Sequence, residues 1–571
     1  MTEVKEQFDH IWNHLYPESG EILSDFIQEL EQTKAHVVLP EQQPYWYKDT
    51  NVYALYVDLF NEDFKGLEAR LDYLQDLGIG TLWLLPILDS PMHDAGFDIR
   101  KYTRIRPELL NMPDDAPDEL LVDAFRHFLD AAHRRGIHVI FDVALNHTSI
   151  EHPWFQESRK STDNPYRDYY IWNKDQDLYK EARIIFKGLC DSNWEKDGEE
   201  YFFHRFFEFQ PDLNYRNPQV LLAMTRNLIF WLKQGVDGFR ADAIPYIWKE
   251  QGTSCENLDG THWIVKWFRA VFDYLRPNTL LLAEACQPPH EVVKYFGSGD
   301  ECHAGYHFPI MPMIFKALAT NDVNPIKDTL GVQVTPPIKN ENQWFMFLRL
   351  HDELTLEMVS EEDRAIIHGH FCRQPQWDFR VGEGISARLA DLLEYNPDKI
   401  AMTYSIMLSL PGTPIVYYGD EFGKTNDQAF YQEMFQLTGK KDTRYYVRGR
   451  IDWAKAQAAL DQKGSFEERV YSSMKLQLNT RKHYKQFSRG SIEWVDLLPV
   501  NGSPTNPILA FIREYEGKRL LIVHNLSDQT VKLQPHTIQS LISKEIQGLD
   551  ASDLLTDSSL KPYDYFWFEL D

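Results

Sequence analysis

Four short runs in this chain share one pattern, an apolar β-type stretch halted by ionisable groups. They are Asp142-Val-Ala-Leu-Asn146-His147, Gly238-Phe-Arg240-Ala-Asp242, Leu282-Ala-Glu284 and Arg349-Leu350-His351-Asp352. One such carboxylate or histidine would be an ordinary cap, a solvated loop residue or a satisfied core residue. Four together point to a site. If Asp242 and Glu284 end neighbouring parallel strands about 4.8 Å apart, their carboxyls can approach to about 5–5.5 Å. At that separation one carboxylate can attack an anomeric carbon while the other protonates the leaving oxygen, which cleaves a glycoside with retention of configuration. Arg240 stands two residues before Asp242, on the same face of a strand, where its guanidinium would orient the nucleophile and offset its charge. Poor solvation and the neighbouring carboxylate should push the acid Glu284 upward in pKa. His147, His351 and Asp352 would supply donors and acceptors to sugar hydroxyls.

Residues so placed need a scaffold that gathers strand ends. From about Tyr45, β-rich runs at 52–60, 81–86, 138–145, 236–241, 279–283, 344–350 and 414–417 alternate with helical stretches. The clearest helical stretches are 64–77, 118–135, 218–234 and 262–275, and a weaker eighth strand lies near 303–308. This alternation predicts parallel strands. No Gly-rich phosphate turn follows the first run, so an open doubly wound sheet fits less well than a closed barrel. The expected fold is α/β, a (β/α)₈ TIM barrel over residues 45–487, with its chemistry at the C-terminal strand ends. A polar, aromatic insertion at about 147–217 follows the third strand, and so long a connection is usually functional. Residues 1–44 read as two amphipathic helices lying on the barrel, with a homodimer contact as the alternative. Residues 488–571 read as an antiparallel β-domain, with β-type runs at 508–515, 519–525, 530–533 and 565–570.

Composition narrows the function classes. The 571 residues carry 59 Lys and Arg against 86 Asp and Glu, a net charge of −27. Such a polyanion repels phosphate backbones and acidic lipid, so neither nucleic acid nor membrane is an expected partner. No apolar run approaches the roughly 18 residues that span a bilayer, and Met1-Thr-Glu-Val-Lys-Glu6 lacks a signal-peptide pattern. Five cysteines without Cys-x-x-Cys spacing argue against a disulfide framework or a zinc cluster. A cytoplasmic location is expected. The aromatic share of 14% suits sugar faces and a large core equally, and alone decides little.

The four runs also resemble the four signature regions of the α-amylase family of glycoside hydrolases. Gln210-Pro-Asp-Leu-Asn214 is similar to the additional motif of its oligo-1,6-glucosidase-like branch. The long stretches Glu301-Cys-His-Ala-Gly-Tyr-His-Phe308 and His351-Asp-Glu-Leu-Thr-Leu-Glu-Met-Val359 look most like the trehalose-synthase members of that branch. The resemblance runs from about Tyr45 to Phe422. It implies a retaining enzyme on short α-glucosides, most like maltose–trehalose interconversion, with a hydrolase or transglucosidase as the alternative and a non-catalytic sugar-binding relative as a third. It implies Asp242 as nucleophile, Glu284 as acid/base and Asp352 as the third carboxylate. It places Asp98, Tyr102, His147, Arg240 and His351 around the terminal sugar, with Tyr102 stacking on the ring. Three departures touch the edges of the pattern: a short loop at 59–65, the stretch Asp442-Thr-Arg-Tyr-Tyr-Val-Arg-Gly-Arg-Ile-Asp-Trp453, and Leu350 where the family carries Asn.

The family resemblance further implies a calcium ion tying the insertion to the barrel through positions matching Asn146 and Asp212. The trehalose-synthase pattern adds oxygens from the stretch matching Tyr246-Ile-Trp-Lys249, where the last residue is a glutamate. Here it is lysine, and an ammonium cannot ligate calcium. The expectation is therefore no cofactor, with Lys249 pairing to Asp212 and donating to Asn146 in place of the ion; the alternative is that Lys249 projects into solvent and calcium binds through the remaining oxygens.

Overall fold

The computed structural model describes residues 2–36, 42–186, 190–500, 505–534, 542–545 and 552–570. Eight strands close into a parallel barrel. They are β1 Val52–Leu55, β2 Thr81–Leu84, β3 His138–Ala144, β4 Gly238–Asp242, β5 Leu280–Ala283, β6 Ala304–Tyr306, β7 Gln343–Phe347 and β8 Thr413–Tyr417. Each pairs with its sequence neighbour, and Val52 opposite Ile415 closes the ring. Strands enclosed on both faces need apolar residues at every position rather than at alternate ones. Accordingly β1, β2, β5, β7 and β8 are buried along their whole length.

The apolar run 52–60 is not one strand. β1 ends at Leu55, and Val57–Asn61 is helical. Val57 and Phe60 are both buried, and a three-residue spacing reaches one face of a helix but opposite faces of a strand. The helical stretch 64–77 is likewise two pieces, Phe64–Glu68 and Leu71–Leu77. The longer helices, α3 (Asp118–His133) among them, hold close to the expected spans. In α4 (Pro218–Gln234), Asn217 caps the start by accepting from the Gln219 N–H, Pro218 takes the first turn, and Gly235 ends the helix at φ 101°.

The N-terminal helices α1 (Thr2–Leu15) and α2 (Gly20–His36) lay their apolar faces on α5 (Asp259–Leu275). Trp267 of α5 is the anchor, with Phe8, Trp12 and Phe26 at ring-centre distances of 5.3, 5.2 and 5.6 Å.

Two excursions rise from the barrel mouth. The insertion after β3 holds a small antiparallel sheet of Trp172–Asn173, Glu200–Phe203 and Trp194–Asp197. A β-bridge between His147 and Asp212 ties its two ends together. The second excursion, between β7 and β8, carries the helix Glu361–Phe371 and three two-residue strands, and the sequence reading did not foresee it.

The C-terminal sheet contains β9 (Ser491–Trp494), β10 (Ile508–Tyr515), β11 (Lys518–Asn525), β12 (Ile542–Glu545) and β13 (Tyr565–Leu570). Their order is β9-β10-β11-β13-β12. The expected strand at 530–533 does not join it, because β13 already occupies the edge of β11. Val531–Lys532 pairs with Ser559–Leu560 in a separate ribbon instead. Among the described residues no helix is long and apolar enough to cross a membrane.

Candidate active site

Strand register assembles the centre of the site. Asp142 of β3 opposes Arg240 of β4, and Arg240 opposes Leu282 of β5. Side chains alternate along a strand, so Asp142, Arg240, Asp242 and Glu284 emerge on one side of three adjacent strands. Glu284 follows β5 directly, and its backbone N–H still donates to the carbonyl of Ala241 at 3.1 Å. Arg240 Nη1 donates to Asp142 Oδ1 at 2.5 Å and to Asp242 Oδ1 at 2.7 Å. Trp83 Nε1 fills the other Asp142 oxygen at 2.8 Å, so Asp142 braces the guanidinium from behind. Asp242 keeps its second oxygen for the cavity.

After Asp242 the chain turns through Ala243, a non-glycine residue held in the left-handed region at φ 56°. That turn aims the Ala243 N–H at Glu284 Oε2, 3.0 Å away. Burial pushes the Glu284 carboxyl up to about 7, and the charges of Asp242 and Asp352 add to it while Arg240 opposes. A raised carboxyl of this kind keeps its proton available near neutral pH, the condition a general acid requires.

Asp352 closes the triangle from the loop that follows β7. Arg448 Nη2 reaches its Oδ1 at 2.8 Å, Arg444 Nη1 the same oxygen at 3.2 Å, and His351 Nε2 its Oδ2 at 3.1 Å. Low-dielectric surroundings work against the charge, but His351, Arg444 and Arg448 outweigh them and hold the carboxyl well below the usual carboxylate range. Both arginines come from the stretch after β8 that departs from the family pattern.

His147 is buried, and burial lowers its pKa, so the ring stands neutral at pH 7. Gln210 Nε2 lies 3.3 Å from its Nε2 and donates to Asp94 Oδ2 at 3.1 Å, linking the insertion to the loop after β2.

That loop corrects two sequence assignments. Asp98 and Tyr102 do not line the cavity; Asp94 and Phe97 do. Met92, Ala95 and Gly96 all take positive φ, which reverses the chain between Asp94 and Asp98. A side chain on Gly96 would meet Pro86 at 2.6 Å, so the tight reversal depends on glycine. Asp98 points back into the loop and accepts from Ser90 Oγ and the His93 and Asp94 N–H groups at 3.0, 3.0 and 3.1 Å. Tyr102 spends its hydroxyl on the Ala144 and His147 carbonyls at 2.7 and 2.8 Å, and stacks on no open space. From this loop the ring that faces the cavity is Phe97, packed on His351 at 5.7 Å and 22° and beneath Arg240 at 5.7 Å.

The mouth is bridged from above. Arg183 of the insertion pairs with Glu357 of the second excursion at 2.6 Å and with Glu256, beyond β4, at 2.9 Å. Phe186 lies under the guanidinium groups of Arg380 and Arg444 at 5.0 and 5.6 Å. Asp242, Glu284 and Asp352 therefore share one pocket with about 1160 Å³ of empty space, part of it open to solvent, beneath a polar strap. The sequence reading missed Asp94, Phe97, Arg183, Arg444 and Arg448. Only the paired arginines of Arg444-Tyr-Tyr-Val-Arg448 carried a local signal, four residues apart in an aromatic run.

Comparison with known proteins agrees with this geometry. Residues 44–489 match the α-amylase catalytic domain, and residues 502–567 match the maltogenic amylase C-terminal domain. A trehalose synthase/amylase of Mycobacterium tuberculosis is 38% identical over 567 residues, covering 92% of this chain and 90% of that one. A trehalose synthase of Pimelobacter sp. is 36% identical over 572 residues, covering 93% and 96%. The solved structure of a trehalulose synthase superposes with a TM-score of 0.70 at 23% identity, covering 93% of this chain and 100% of the other, which speaks to the fold. With the barrel, the strand-end carboxylates and these matches in hand, this chain belongs to the α-amylase family of retaining glycosidases and glucosyltransferases.

Proposed function

We propose that this enzyme interconverts maltose and trehalose through a covalent glucosyl-enzyme. Asp242 attacks the anomeric carbon while Glu284 protonates the departing oxygen. Bond formation neutralises Asp242 and so removes one of the charges that raise Glu284. Its pKa then falls, and the group that acted as acid becomes the base that activates the incoming hydroxyl. Asp352, fixed by two guanidinium groups, offers a steady acceptor to ring hydroxyls, and Phe97 supplies the apolar platform. The observation that carries the isomerase reading is the Arg183–Glu357–Glu256 strap. A strapped mouth keeps freed glucose near the intermediate, and its re-attack through a different hydroxyl changes the linkage. The names of the relatives that cover nearly the whole chain support the same reading. The partner required is a small α-glucoside, and the charge of −27 disfavours nucleic acid or an anionic membrane surface.

Incubation with maltose, trehalose and sucrose, with products resolved by chromatography, tests this. Disaccharide interconversion with little free glucose is expected. Glucose as the main product would make the enzyme a hydrolase, and no turnover would leave a sugar-binding relative.

A further inference from the structure

We propose that Lys249 is a built-in cation that fastens the insertion to the barrel without a metal ion and positions His147 through Asn146. The ammonium lies in a buried cradle between three segments. Nζ sits 2.7 Å from Asp212 Oδ2 in the returning arm of the insertion and 2.6 Å from Asn146 Oδ1 just past β3, with the Ile247 carbonyl at 3.5 Å. Lys249, Asp212 and Asn146 are 4%, 0% and 0% exposed. An ammonium carries three N–H donors and no acceptor; here it donates to Asn146 Oδ1 and the Ile247 carbonyl, and meets Asp212 Oδ2 as an ion pair whose alignment falls short of a hydrogen bond.

The cradle does not fit calcium as well. That ion takes six to eight oxygens at about 2.3–2.6 Å, and at those distances from Asp212 and Asn146 it would overlap Nζ. Other oxygens are already engaged. Asp212 Oδ1 accepts the Arg205 N–H at 2.9 Å, and the Lys249 carbonyl accepts Arg216 Nε and Nη2 at 3.1 and 3.0 Å. A dication at contact distance from an ammonium would also be strongly repelled.

The ammonium has a second consequence. Because it can only donate, it holds Asn146 with Oδ1 toward Lys249. The amide nitrogen is thereby turned to His147 Nδ1, 3.4 Å away. Lys249 thus acts on the cavity as a positioning residue, through the β-bridge of His147 and Asp212 and through this amide.

The test measures thermal midpoints and calcium binding of the full chain in excess chelator and in millimolar calcium. The wild type should show the same midpoint in both and no calcium binding by calorimetry. Lys249→Met should lower the midpoint by several degrees under both conditions and raise KM more than it lowers kcat. Lys249→Glu should lower the midpoint in chelator and regain it in calcium, with saturable binding, because a carboxylate restores an oxygen to the cradle. A wild-type midpoint that falls on chelation and returns with calcium would overturn the proposal. So would an unchanged midpoint in Lys249→Met, or a Lys249→Glu protein that binds no calcium. If that glutamate variant cannot be purified folded, the wild-type and methionine measurements still decide the matter.

Discussion

At the residue scale, the raised pKa of Glu284 sets the pH response. The acid form must be present in the free enzyme, and it is lost as pH rises through about 7. The profile of kcat/KM should therefore fall on its alkaline side near that value. Asp242→Asn should lose turnover by about 10⁴-fold or more while circular dichroism and thermal midpoint stay close to wild type. A product of inverted anomeric configuration would contradict the two-step route. The paired aspartates of the β2 loop make a sharper comparison. Asp94 faces the cavity, so Asp94→Asn should cost about 10- to 150-fold in kcat/KM, the worth of a hydrogen bond to a charged group. Asp98 faces its own loop, and Asp98→Asn should act first on the thermal midpoint. The reverse ranking in the two assays would return Asp98 to the substrate.

At the element scale, the two excursions meet over the pocket through the Arg183–Glu357 pair. Arg183 is partly exposed, and its pairs with Glu357 and Glu256 are of the kind that hold a strap closed without contributing much to global stability. Arg183→Ala should therefore leave the fold intact and change the product ratio, with a larger share of free glucose and measurable rates on maltotriose. An unchanged ratio by chromatography would remove the strap from the mechanism. The strand-end groups differ from the strap in kind, because they are positioned by barrel register and cannot be shifted singly.

At the scale of the whole molecule, the N-terminal hairpin is part of the folded body. Trp267 receives Phe8, Trp12 and Phe26, and donates Nε1 to Thr225 Oγ1 at 2.9 Å. Trp267→Ala should cost about 3–5 kcal/mol in urea unfolding and loosen the hairpin to proteolysis. A wild-type unfolding curve for that variant would show the hairpin to be dispensable. The pocket as a whole also predicts size selection. Disaccharides should be turned over much faster than soluble starch, and comparable rates would contradict a strapped mouth.

Local sequence determined the elements whose information is local. Seven barrel strands, a weaker eighth and the span of α4 were legible because enclosed strands need continuous apolar runs and because Pro218 suits a helix start. The same logic gave Arg240, Asp242, Glu284 and Asp352, since apolar runs that stop at ionisable groups have no packing reason to do so. Lys249 was legible through a single charge at a position where oxygen was expected, and the structure sets its Nζ against Asp212 and Asn146. Tertiary structure alone decided the rest. Three positive-φ residues chose Asp94 and Phe97 over Asp98 and Tyr102, because the sign of φ in a short loop depends on what the loop packs against. Arg183 lies on the insertion and Arg444 and Arg448 follow β8, each 92 or more positions from one or more of the carboxylates they reach, and no local pattern encodes a contact made across the mouth of a barrel.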